Sequence, residues 1–167
     1  MKKVYQTIMD PKKGNCMQAA YATLFNLELD QVPNFILYED RWFGVLWEFL
    51  KTQGVLYSYS VNNNRAFDVM GDSSGDTAKK KDRFPEIKKR EGVNGLYAAV
   101  VFSPRYFDMN AKVLVSHQVL IDSDFNIVFD PNPQNKGIFK YPLADEMGYN
   151  GVKSVEFYEP YTPEVKI

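Results

Sequence analysis

Residues 116–133 read SHQVLIDSDFNIVFDPNP. Two short runs rich in β-branched and aromatic residues flank Ser123–Asp124, a pair suited to a turn, so the stretch predicts an antiparallel hairpin. The second run stops at Asp130, where Asp-Pro-Asn-Pro forces the chain to turn. Neighbouring segments carry the same signature: LYAAVVFS at 96–103, GIFKYP at 137–142 and KSVEFYEP at 153–160 are short, β-branched or aromatic, and bounded by turn residues. Together they predict an antiparallel sheet in the C-terminal half.

Upstream the period changes. From Cys16 to Leu27 the apolar positions Ala19, Ala20, Leu24 and Leu27 recur at helical spacing, with Asn15 in position to act as N-cap. A short turn is expected at about 29–32, interrupted by Pro33. RWFGVLWEFLKTQG at 41–54 then resumes an amphipathic pattern with Trp42, Val45, Leu46, Phe49 and Leu50 on one face, and Gly54 is a fitting stop. Helical spacing also puts Trp42, Phe43 and Trp47 in the core. VLYSYSV at 55–61 alternates as a first strand. The class is therefore α+β, an N-terminal helical half packed on a C-terminal antiparallel sheet. Residues 1–167 form one expected domain, without repeat or linker, interrupted by a polar insertion at about 62–93. Within that insertion a loop at 71–78, the basic run Lys79–Lys81 and a short surface helix at about 85–91 are expected.

Composition narrows the chemistry. Twenty Lys and Arg residues against 21 Asp and Glu give no general attraction to nucleic acid or an anionic membrane. One cysteine excludes an internal disulfide framework, and one histidine beside it cannot complete a Cys/His zinc site, so no metal or cofactor is expected. With no apolar leader and no run of about 18 apolar residues, the expected compartment is the cytoplasm, where a free thiol survives.

The chemistry concentrates on the two unique residues. A nucleophilic thiol needs a lowered pKa, which a helix N-terminus and a nearby imidazole both provide. Cys16 follows Gly14–Asn15 at the expected helix start, where N–H groups of the same turn can also hold an oxyanion. His117 sits in an apolar strand that would fix its ring, and the hairpin brings Asp130 onto the neighbouring strand to orient it. Asn132 is the reserve for that third role. Taken singly, a free cysteine is usually a small buried hydrophobe and Asp130 a turn residue; the combination is far more specific. Ser103-Pro104-Arg105 reads as a loop anchor ahead of the His117 strand.

GNCMQAAYATLF at 14–25 resembles the nucleophile helix of papain-like cysteine enzymes, and SHQVLIDSDFNIVFDPNP resembles their histidine hairpin. More narrowly, QTIMDPKKGNC, LFNLELDQVPNF, FSPR and FDPNPQNKG resemble small papain-like proteins often encoded by bacteriophages and prophages. The resemblance implies a papain-like fold, a Cys16–His117–Asp130 triad, and Gln6 contributing its side-chain amide to the oxyanion hole. Gln6 lies further before the cysteine than is usual in that family, so the Pro11–Lys13 turn must loop out for it to reach. Met17 stands where many members carry glycine, another small residue or an aromatic. The activity implied is hydrolysis of an amide or isopeptide bond in a peptide or protein substrate. The alternatives are transglutaminase-like acyl transfer and a catalytically idle scaffold that binds a host protein through the insertion, acting in the host cytoplasm if phage-encoded.

Overall fold

Ala19, Ala20 and Ala22 surrender no side-chain entropy on entering a helix, and with Tyr21 and Leu24 they make a segment that can be buried on nearly every side. This is α1, Cys16–Leu24. It ends earlier than the Leu27 expected from periodicity because Asn26 takes a left-handed φ of 57°. Leu27 N–H then donates to Ala22 C=O (2.8 Å) and Asn26 N–H to Thr23 C=O (3.3 Å), the paired bonds of a Schellman ending. Short 3-10 turns at Leu29–Gln31 and Phe35–Arg41 lead into α2, Trp42–Thr52, and Gly54 (φ +76°) releases the chain into β1, Val55–Asn62. The computed structural model describes residues 1–10, 13–63, 65, 84–108, 113–137 and 140–163. The loop expected at 71–78 and the Lys79–Lys81 run lie outside them, as does the side chain of Arg105.

Four further strands complete one antiparallel sheet: β2 Tyr97–Asp108, β3 Val113–Ile121, β4 Ile127–Phe129 and β5 Val152–Pro160, in the order β1-β5-β2-β3-β4. Period-two alternation divides their side chains between two apolar clusters. Ala98, Leu120 and Phe129 meet Tyr21, Leu24, Leu46 and Leu50 of the helices. Ala99, Val101, Val119, Ile121, Val155 and Phe157 fill the opposite face. The α+β arrangement, helices first and sheet later, is thus the observed one. Because β4 pairs with β3 only at Leu120 and Ile121, the rest of that edge of β3, including His117, is left for the start of α1.

Three local expectations fail. Trp42, Phe43 and Trp47 are not core residues but 39%, 37% and 44% exposed. Only Leu46, Phe49 and Leu50 of α2 are buried, and a helix apolar around most of its circumference offers more surface than one sheet face can cover. The surface helix expected at 85–91 is a 3-10 segment, Phe84–Lys89, whose Phe84 and Ile87 are fully buried in the face opposite the helices. Finally, the described residues of GIFKYP lie in no strand; Tyr141 is instead a buried loop residue of that same face, followed by the short α3, Ala144–Met147.

Candidate active site

Cys16 opens α1, and the end of that helix is not capped in the expected way. Asn15 occupies the N-cap position but makes no side-chain cap bond. Its Oδ1 accepts from the N–H groups of Thr7 (3.0 Å) and Ile8 (2.9 Å), tying the N-terminal arm to the helix. The N–H groups of the first turn, with their partial positive charge, are therefore left to the sulfur and to whatever approaches it. The backbone N–H groups of Met17 and of Gln118, the latter on the uncovered edge of β3, favour the charged form of the sulfur. Burial pushes the thiol up, but the hydrogen bond and charge of His117, helped by those two N–H groups, outweigh it and hold the thiol below its ordinary value.

His117 lies on β3 and is 6% exposed. Its Nε2 donates to Asp130 Oδ1 at 2.6 Å, so the contact with the Cys16 sulfur falls to Nδ1. Burial pulls the imidazole down, and against it the bonds and charges of Asp130 and Cys16 push it up to about 9. Asp130, just past β4, is held in turn by the Tyr141 hydroxyl and the Asn135 amide (3.1 Å) on Oδ2 and by the Asn132 N–H (2.8 Å) on Oδ1. Burial raises its carboxyl, while His117, Tyr141 and Asn132 together bring it below the usual carboxylate range. The three shifts agree in direction: each favours the charged form, so the site is biased toward a thiolate, an imidazolium and a carboxylate in series.

Sequence-predicted Cys16, His117 and Asp130 are thus brought together. Asn132 is not in the third role: its side chain accepts from Gln134 N–H (2.9 Å), capping a short 3-10 turn, while its backbone supports Asp130. Gln6 lines the same cleft as Cys16 and His117. Its Nε2 donates to Ile8 C=O at 3.0 Å, and its Oε1 is buried with no hydrogen-bond partner among the described residues. Glycine at 14 makes this arrangement possible. A Cβ there would lie 2.6 Å from the Asp10 carbonyl, 3.1 Å from that of Ile8 and 3.5 Å from the Gln6 amide nitrogen. Gln18 is turned away, donating to the carbonyls of Leu29 (3.0 Å) and Val32 (2.8 Å). The cleft is small, about 90 Å³, and is closed further by Met9, Ile36, Ser103 and Val115.

Sequence reading missed Tyr141 and Asn135, the residues that pin Asp130. Reading GIFKYP as a strand removed the signal, since a buried tyrosine in a loop needs a polar partner and the nearest carboxylate was already in view. No family model, curated protein or solved structure matches this chain. Among the described residues no helix is long and apolar enough to cross a membrane, and no group of three or more His, Cys, Asp or Glu side chains could hold a metal ion.

Proposed function

We propose that the chain is a cysteine hydrolase of papain-like type, cleaving an amide or isopeptide bond in a peptide or protein. The observation that carries this reading is the chain of contacts from the Cys16 sulfur, at an uncapped helix start, through His117 to Asp130 beside a small cleft. The Cys16 thiolate attacks the carbonyl carbon, and the oxyanion is received by backbone N–H at the start of α1 and by the Gln6 amide. Protonated His117 gives its proton to the leaving amine as the C–N bond breaks, leaving a thioester on Cys16. Water then attacks the thioester, losing a proton to His117, and the acid departs as the thiolate returns. Asp130 holds the ring throughout. The order of a helix-borne cysteine, a strand-borne histidine and a carboxylate after the next strand supports the papain-like assignment. The idle-scaffold reading rests on the 62–93 insertion, most of which lies outside the described residues.

The test is labelling by a thiol-directed acyl probe and turnover of a broad amide panel, wild type against Cys16→Ala. Labelling and turnover confined to the wild type are expected; labelling that survives in the variant would remove Cys16 as nucleophile. Mass spectrometry of the products with an added amine separates hydrolysis from acyl transfer, since transfer leaves the amine attached to the acyl group. The profile of kcat/KM against pH should be bell-shaped. Its acid limb lies below the ordinary thiol range because Cys16 must ionise, and its alkaline limb lies near 9, where His117 gives up the proton the leaving group needs.

A further inference from the structure

The large hydrophobic side chains exposed among the described residues fall into two stretches, 1–8 and 36–47. The second is the richer, with Leu37 69% and Trp47 44% exposed. Its near end touches the chemistry, because Ile36 lines the cleft with Cys16 and His117. Beyond it the Phe43 ring packs on Trp42, Trp47 and Tyr57. A groove lined by Tyr38, Arg41, Val45 and Phe49 runs beside them. Within this stretch Glu39 and Asp40 stand against Arg41, Glu48 just beyond it is paired with Lys51 (3.1 Å), and Asp10 adds a further carboxylate at the cleft.

Exposed apolar surface of this kind marks a binding surface, and its charge decides between occupants. A net acidic rim repels an anionic lipid surface and attracts Lys and Arg. Resting on the hydrolase reading above, we propose that residues 36–47 dock the polypeptide substrate through a segment combining bulky apolar side chains with Lys or Arg, outside the bond that is cleaved. The cleft is too small to do more than hold the reacting group, so this surface supplies the selectivity.

The two tryptophans of the chain, Trp42 and Trp47, both lie on this surface, so intrinsic fluorescence reports its occupancy directly. Cys16→Ala protein is titrated with a peptide of Leu, Phe and Lys residues, with the same peptide carrying Glu for Lys, and with anionic phospholipid vesicles. A saturable blue shift is expected with the Lys peptide, at least tenfold weaker with the Glu peptide, weakened by salt, and lost in Phe43→Asp and Leu37→Asp, each checked for native circular dichroism. With wild-type enzyme, joining the Lys peptide to a short amide substrate should lower KM at least tenfold, and Phe43→Ala should raise KM for the joined substrate alone. Equal binding of the two peptides, tighter binding to vesicles, or self-association in sedimentation that excludes the peptide would each overturn the proposal. Binding without turnover of any substrate would count against the hydrolase reading and leave the docking surface standing. Turnover of the short substrate with no fluorescence response would do the reverse.

Discussion

Two carboxyl groups with little exposed side chain, Asp130 just past β4 and Glu156 on β5, are shifted in opposite directions. Glu156 points to the helical side, where the hydroxyls of Tyr21 and Tyr158 (2.8 Å) both donate to its Oε2. Burial raises its pKa, and the two phenols offset only part of that. Asp130 is also raised by burial, yet its net shift is downward, because an imidazolium, a phenol and a backbone N–H all favour the charged form. Both groups have a tyrosine. The cation and the backbone N–H make the difference: neutral donors soften the penalty of burying a charge, whereas an adjacent positive charge reverses it.

Removing the carboxylate from the second cluster is the harshest way to break the contrast. In Asp130→Ala, burial is left to lower His117 with less to oppose it, so the imidazolium is lost well below pH 9 and Cys16 loses the charge that holds its thiolate. The bell should narrow from both sides, with kcat/KM down by about 10²- to 10⁴-fold. Asp130→Asn keeps an acceptor for Nε2 but not the charge. It should retain more activity than the alanine variant while its alkaline limb still moves to lower pH. A full pH profile of the three proteins checks this; identical alkaline limbs would mean that Asp130 does not set the charge of His117.

Tyr141→Phe probes the same carboxylate more gently. The phenol donates to Asp130 Oδ2 and touches neither the thiol nor the ring, so it is a positioning residue. A lost hydrogen bond to a charged group is worth about 1.5 kcal/mol or more, so kcat/KM should fall about tenfold. With one donor fewer the carboxylate becomes more basic, and the alkaline limb should shift upward, opposite to Asp130→Asn. A merely structural role would lower activity without moving that limb.

How much of this was legible beforehand follows from range. The helix start at Cys16, the hairpin around Ser123–Asp124 and the meeting of His117 with Asp130 are set by residues close in sequence, and period and turn chemistry report them. The match between Cys16 and His117 rested on their each being unique and on the papain-like order of a cysteine at a helix start followed by a histidine on a later strand. Tyr141 and Asn135 act across turns whose path periodicity does not encode, and GIFKYP looked like a strand because burial alone selects the same residues. Glu156 was readable in principle: in VEFYEP a charged residue alternates with Val155 and Phe157, which in a sheet covered on both faces must be buried too. Trp42, Phe43 and Trp47 misled because helical spacing tells which residues share a face, not whether anything covers it.

The gentlest test acts on the first cluster. Glu156→Gln should leave kcat/KM unchanged, since Glu156 contacts no residue of the cleft, and should alter only how stability depends on pH. A carboxyl raised on folding contributes stability that is fully present below its unfolded pKa of about 4.3 and is lost as pH rises through the folded value, at about 1.4 kcal/mol for each unit of separation. Asp130, lowered on folding, has the opposite sign: its contribution is present above about 3.9 and disappears as pH falls through its folded value. Wild-type stability is therefore squeezed from both sides, by Asp130 in acid and by Glu156 as pH rises above about 4.3. Glutamine at 156 removes the second effect and keeps the first, so denaturant unfolding should show the variant losing less stability than wild type between pH 4 and 7, with the same collapse in acid. Parallel curves across that interval would mean that the proton on Glu156 is not linked to folding, and that the two carboxyls do not differ as their neighbours imply.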